Sequence, residues 1–327
     1  MTSVVADSRP EGVGRPGEHR SEAAERSPSV MAGAGSNQPG FHRGRRIALQ
    51  TFLSIAAVAW LIPMVSAVYS SFRYFEGDTL KRGVFSLPKT LTLDNYREAW
   101  RVGGIGRHFL NTLYITIPAI ILILLFASLV AFACTRFSNR FNIFFLVLFT
   151  AGNLMPQQVI FQPVFQIFKR IPWPDILSDT NTGYLLGTKI SVILIHVAFQ
   201  TGFCTFVLSN YMKAVPQEIT EACLVDGASV QRQFFQIIMP LCRPALAALG
   251  TLEFTWLYND FFWGSVMLQQ GIEKPITSSI ALLNGQYAVD YNLIAAASTV
   301  IAIPTIAVFI ALQKHFIGGL TLGASKG

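Results

Sequence analysis

The sequence predicts an all-α integral membrane protein with six transmembrane helices and a polar helix-turn-helix between the fourth and the fifth. Three observations carry that fold class. Of 327 residues, 52% are hydrophobic and 13% charged, with a mean hydropathy of +0.45, which is too apolar for a soluble domain of this size. A hydrocarbon core of roughly 30 Å takes about 20 helical residues, and apolar runs of that kind lie near 47–72, 109–134, 141–167, 184–211, 245–268 and 292–316. Over 213–243, by contrast, polar residues return in a segment punctuated by Pro216, Gly227 and Pro240.

Residues 1–42 are rich in Ser, Gly, Pro, Glu and Arg and nearly free of large apolar side chains, so a disordered tail is expected ahead of a membrane domain at 43–327. The first apolar run starts at Ile47, outlasts the core of a signal peptide and shows no cleavage pattern; it is expected to stay as a span. The net charge of +7 is scattered through loops and tail. Without a basic stripe interleaved with aromatics, nucleic acid is not an expected partner. Cys134, Cys204, Cys223 and Cys242 include no C-x-x-C pair, which argues against both a disulfide framework and a metal site. The chain has no G-x-x-x-x-G-K-[ST] phosphate loop and no nucleophile–base pair, so it is not expected to be an enzyme or to bind a cofactor itself.

The segment 73–107 reads as an external loop of mixed polarity ahead of the second span. In the third span, Pro156 and Pro163 interrupt a run holding Asn153, Gln157, Gln158, Gln162 and Gln166. Asn153 with Gln157, and Gln162 with Gln166, share helix faces at i, i+4. Polar groups in hydrocarbon need partners, and either a water-lined path or hydrogen bonding between helices supplies them. The fourth span carries His196, Gln200 and Phe203 on one face. No second titratable group stands at helical spacing from His196, which is therefore read as a satisfied interhelical histidine.

The fifth span sets Glu253, Trp256, Asp260 and Trp263 along one helical stripe, flanked by Asn259. Each acid exposed to lipid would cost about 2.5–3.5 kcal/mol, so this face meets protein or water. Carboxylates and amides beside indole rings suit a sugar, whose hydroxyls need donors and acceptors and whose C–H face stacks on aromatics; a contact with another subunit fits the same stripe. The pathway candidates are Glu253, Trp256, Asn259, Asp260, Gln157 and Gln200.

Within 216–240, Pro216 suits the first helical position, and Glu218 and Glu221 fall near the positive end of the helix dipole. Gly227 tolerates the left-handed backbone that ends a helix. A second helix then carries Phe234, Phe235, Ile237 and Ile238 until Pro240 closes it. Capping alone fits any amphipathic hairpin between two spans. The whole pattern, however, resembles the coupling loop of the permease subunits of ATP-driven (ABC) importers. Glu221, Ala222, Asp226, Gly227, Ala228, Phe234, Ile237 and Pro240 fall in register, while Cys223 and Met239 depart with similar apolar residues. The stretch from Phe316 to Gly327 is similar to the glycine-rich tail of the maltose-type carbohydrate permeases, as are Asp94-Asn95-Tyr96 and the second span through Arg136. Gly264-Ser265 departs from a Pro-Leu common in that family.

The resemblance implies a permease subunit that passes a sugar or oligosaccharide inward. It also implies a second permease subunit, two copies of a cytosolic ATPase that use ATP and Mg, an extracytoplasmic sugar-binding protein, and surrounding membrane lipid. By the same resemblance Glu221, Ala222, Asp226, Gly227, Ala228 and Pro240 couple to the ATPase, and the tail, through Gly319, Gly323 and Lys326, reaches toward it. Basic residues near the span ends are balanced between the two sides, so the positive-inside rule does not orient the chain. Arg43, Arg45 and Arg46 abut the first span and the resemblance puts 213–243 against the ATPase, which sets both termini in the cytosol of a multi-pass protein of the cytoplasmic membrane. The alternatives are an ABC permease for another small solute, or a proton-driven secondary transporter with inverted repeats and paired titratable groups.

Overall fold

The computed structural model describes residues 43–83, 86–88, 90–137, 141–152, 155–174, 176, 183–283 and 289–321, with backbone alone at Arg43, Glu76 and over 313–321. The tail expected over 1–42, Asn153, Gly323 and Lys326 lie outside the described residues. The chain divides into two units, Met1–Ala59 and Trp60–Gly327. Of the first, the described residues begin helix α1 (Arg43–Ser71), whose apolar side chains, among them Phe52, Leu53 and Val58, are exposed. Such a surface suits lipid and not water.

The second unit contains the remaining helices. Part of the expected loop at 73–107 is helix α2 (Asp94–Arg101), pinned by the buried Asn95, whose Nδ2 donates to the carbonyls of Ser71 and Arg73, each at 2.8 Å. Then follow α3 (Ile105–Arg136), α4 (Asn142–Gly152), α5 (Gln157–Phe168), α6 (Lys189–Lys213), α7 (Gln217–Val225), the helical run α8 (Val230–Leu241), α9 (Arg243–Tyr258), α10 (Phe262–Met267), α11 (Ile276–Ser279) and α12 (Tyr291–Thr321). Among the described residues, four helices are long and apolar enough to cross a membrane, in α1, α3, α6 and α12; the number rises to six if α4 with α5, and α8 with α9, each make one bent span. This is a multi-pass helical membrane protein.

Its centre is the packing of α3 on α6, the most extensive helix pair. Ile115, Ala119, Ile123, Ala127 and Ala131 are all buried and recur at every fourth residue, so α3 shows one stripe in which alanines let a neighbouring backbone approach. Helix α6 supplies Val192, Ile195, Cys204, Leu208 and Met212 to the same core, and α9 adds Ala245, Leu249 and Leu257. A smaller core joins Ala99 of α2 and Ile105 of α3 to Tyr258, Ile276, Ala297 and Ile301.

Two expected spans are not continuous helices. The run expected at 141–167 is divided into α4 and α5, with Pro156 immediately ahead of α5, where its ring disfavours helix in the preceding residue. The run expected at 245–268 stops at Tyr258 and restarts at Phe262. At the other end α12 extends to Thr321, so the backbone at Gly319 is helical and the glycine-rich stretch does not begin as a loose tail at that residue.

Candidate functional site

The helix-turn-helix forms as its capping residues dictate, with two corrections. Pro216 sits one position before the first helical residue of α7, not inside it, and Glu218 occupies the first turn. Gly227, at φ +73°, ends α7 together with bonds from its own N–H to the Leu224 carbonyl at 3.0 Å and from the Ala228 N–H to the Cys223 carbonyl at 2.9 Å. No atom lies within 4 Å of where a Cβ would stand, so only the backbone conformation calls for glycine. The second correction concerns Pro240, which does not close α8. It lies inside the helical run, and the chain bends by 73° at Cys242 instead. The physical reason is the π-helical stretch Gln233–Ile238, whose widened turn makes room for a proline ring that would otherwise strike the carbonyl one turn back. Glu221, Ala222, Asp226 and Gly227 are exposed, Ala228 and Pro240 half-buried, while Phe234 and Ile238 bury the underside of α8.

A second site lies among the spans. Gln157 at the start of α5, His196, Gln200 and Phe203 on α6, Trp256 and Leu257 on α9, and Asp260 just beyond it line one cavity of about 470 Å³. Four of the six sequence candidates for the pathway thus meet, together with the two other side chains from the α6 face. The Phe203 and Trp256 ring centroids are 5.3 Å apart, and Trp256 remains 44% exposed.

The expected stripe along the fifth span is broken, because α9 ends before Asp260. Asp260 instead heads α10: its carboxylate oxygens accept from the N–H groups of Trp263 at 3.4 Å and Gly264 at 3.1 Å. Glu253 does not line the cavity; it is fully buried, and the Cys204 thiol donates to its Oε1 at 3.2 Å. Asn259 is exposed and bonds back to the Thr255 carbonyl at 2.7 Å, also outside the cavity lining. Trp263 is buried in the α3–α6 core. The Gly264 departure has a local cause, since a Cβ there would stand 2.5 Å from Cγ of Pro275.

Sequence reasoning missed one partnership. His196 Nε2 lies 3.8 Å from Asp260 Oδ2, with both side chains largely buried, so the histidine faces an acid after all. His196 is on α6 and Asp260 in the link between α9 and α10, and no spacing rule within one helix finds such a pair. The available signal was Asn259-Asp260 ahead of two phenylalanines, a pair of residue types that favour helix ends and caps.

Residues 119–321 match the family model described as binding-protein-dependent transport system inner membrane component. The diacetylchitobiose uptake system permease protein of Streptomyces coelicolor is 30% identical over 278 residues, covering 84% of this chain and 87% of its own length. The melibiose/raffinose/stachyose import permease protein of Bacillus subtilis is 28% identical over 275 residues, covering 84% and 94% respectively. A crystal structure of a bacterial ABC transporter involved in the import of the acidic polysaccharide alginate superposes with a TM-score of 0.67 over 85% of this chain and 99% of that one. At 21% identity that likeness speaks for the fold alone.

Proposed function

The chain belongs to the family of binding-protein-dependent transport system inner membrane components, and from that premise we propose that it is the permease subunit of an ATP-driven importer of a sugar or oligosaccharide. The observation that carries the cargo reading is the cavity in which Gln157, Gln200, His196 and Asp260 meet the rings of Trp256 and Phe203. Amides and a carboxylate answer sugar hydroxyls, and indole and phenyl faces answer the C–H side of the ring. Relatives named for diacetylchitobiose and for melibiose, raffinose and stachyose support the same cargo class.

In this reading the sugar arrives on an extracytoplasmic binding protein and passes between this chain and a second permease subunit. Of two copies of a cytosolic ATPase, which use ATP and Mg, one docks on the turn between α7 and α8, where Glu221, Ala222, Asp226, Gly227, Ala228 and Pro240 carry the coupling. The C-terminal residues Gly319, Gly323 and Lys326 approach the same partner. Six spans, with α4–α5 and α8–α9 each crossing once, leave both termini in the cytosol. This chain performs no chemistry: ATPase closure displaces α7, and the spans rock between inward-open and outward-open states to which the sugar and the binding protein bind unequally.

Cysteines placed at Gln157, Gln200, Trp256 and Asp260 test the path in the reconstituted complex. Each is expected to react with small hydrophilic thiol reagents in one nucleotide state more than another, and to be protected by cargo with its binding protein. Trp256→Ala is expected to lower uptake about tenfold, the loss of one stacked ring. Inert cysteines in every state, with normal uptake, would set this face against the second permease and remove the sugar from it.

A further inference from the structure

One guanidinium joins three elements at the base of the helix-turn-helix. Arg136 is the last residue of α3. Its Nη2 donates to the carbonyl of Met212, in the final turn of α6, at 3.0 Å and to that of Val215, in the link to α7, at 3.1 Å. The last turn of a helix has carbonyls without intrahelical partners, and the helix dipole makes that end attractive to a cation. Here α6 is already unwinding: the Val215 N–H reaches only as far back as the Met212 carbonyl, at 3.2 Å. Pro216 comes next and has no N–H to offer. Arg136 therefore supplies hydrogen bonds where the backbone of the joint runs short of its own.

Two further observations make this more than a cap. One turn back along α3, the buried Phe132 meets the buried Phe234 of α8 with ring centroids 5.3 Å apart, so the end of α3 holds both arms of the helix-turn-helix. Beside the joint lies an apolar cavity of about 610 Å³ lined by Tyr211, Val215, Pro216, Ile219, Ala245 and Leu249 among others. The link between α6 and α7 thus has open space along one flank and a charged tether at its backbone.

We propose that Arg136 is a positioning residue for energy coupling, which carries the displacement of α7 into α3 so that α3 and α6 move as one body. This rests on the transport reading given above. Without the tether, α7 swings about the Val215–Pro216 link into the open flank and its motion is lost there. With it, the motion reaches α6, the helix that holds His196, Gln200 and Phe203 on the sugar cavity.

The test uses the whole complex, with both permeases, the ATPase pair and the binding protein, in proteoliposomes, and reads sugar imported per ATP hydrolysed. That ratio does not change when a variant merely lowers the amount of assembled complex. Arg136→Gln is expected to lower it about tenfold, within the usual range of coupling between separate sites. Arg136→Lys is expected to keep it within about threefold, because a single nitrogen makes both contacts and an ammonium is also a donor. Phe132→Leu, which loosens the second hold without touching a polar group, is expected to lower it about threefold. A ratio unchanged in Arg136→Gln, or a fall in Arg136→Lys as deep as in Arg136→Gln, overturns the proposal; if Arg136→Gln fails to assemble, an unchanged ratio in Phe132→Leu does so. A wild-type complex that hydrolyses ATP and imports nothing would defeat the transport reading instead.

Discussion

Two pairs of carboxylates, all buried but the half-buried Asp260, divide the second unit of this protein. Asp78 and Glu273 are matched with cations. Asp78 Oδ2 meets Arg73 Nε at 3.1 Å and its Oδ1 meets Arg82 at 3.4 Å, while Glu273 is bonded to Lys189 and lies 3.3 Å from Arg107. Glu253 and Asp260 are not matched in this way: the first accepts from a thiol, and the second meets an imidazole only at 3.8 Å. The first pair closes the ends of spans onto each other. Around Glu273, for example, Asn111 donates to the Ile272 carbonyl at 2.9 Å and the Thr112 hydroxyl accepts from the Ile276 N–H at 2.8 Å, so α3, α6 and α11 are tied at one end. The second pair stands along α9 and its end, where hydrogen-bonding capacity is left over. A structural weld uses up its polar groups; the cavity, which Asp260 lines and Glu253 does not, keeps some free for a polar solute that is taken up and released.

The largest expected effect breaks a weld. Lys189→Met strands Glu273, with side-chain exposure of 8%, beside the partly exposed Arg107. Removing one member of a buried ion pair costs about 3–5 kcal/mol, which thermal unfolding in detergent would register. The double variant Lys189→Met with Glu273→Gln is expected to recover most of that loss, since neither charge is then left alone. If the single variant melts no lower than the double one, Glu273 is not held by its charge and the contrast with the second pair fails.

Asp260 should give an intermediate result, because it belongs partly to each class. As the head of α10 it satisfies the Trp263 and Gly264 N–H groups, and losing a helix cap costs about 1 kcal/mol. Asp260→Ala is therefore expected to lower stability by about 1–2 kcal/mol, and Asp260→Asn, which keeps one acceptor, by less than half of that. Uptake by well-folded complexes sharpens the comparison: if the carboxylate serves only as a cap, Asp260→Asn imports normally, and if it also serves the sugar, Asp260→Asn falls with Asp260→Ala.

What was legible in the sequence follows the same division. Spans could be read because hydropathy is a property of each run by itself, and α7 with its turn could be read because Pro216, Glu218 and Gly227 are local signals. Welds and cavity partners could not. Lys189 looks like an ordinary charge flanking a span until Glu273, far along the chain, closes on it, and His196 looks partnerless until α9 brings Asp260 beside it. The break after Tyr258 is hidden for a related reason: a stripe that continues at helical spacing through Asp260 and Trp263 predicts helix, whereas Asn259 and Asp260 lie between the end of one helix and the start of the next. Gln157 and Gln200 meet at one cavity, as expected from a simpler rule, that amides inside a membrane need company.

Glu253 offers the smallest effect and the sharpest test of the contrast. It is as buried as any residue in the chain, so burial alone would rank its replacement beside that of Glu273. The partners rank it differently. Its Oε1 takes a thiol and its Oε2 has no hydrogen-bond partner among the described residues, so amidation removes no ion pair. Glutamine has the same shape, keeps an oxygen for Cys204, and places its new NH2 where an unbonded oxygen stood. Glu253→Gln is accordingly expected to shift stability by less than about 1 kcal/mol, in the range of volume-conserving swaps, and to leave uptake unchanged because the residue does not line the cavity. Glu273→Gln, the same chemical change at a matched carboxylate, is expected to cost at least twice as much by thermal unfolding. Equal losses at the two positions would mean that burial governs these acids, and that the unmatched pair is not a separate class.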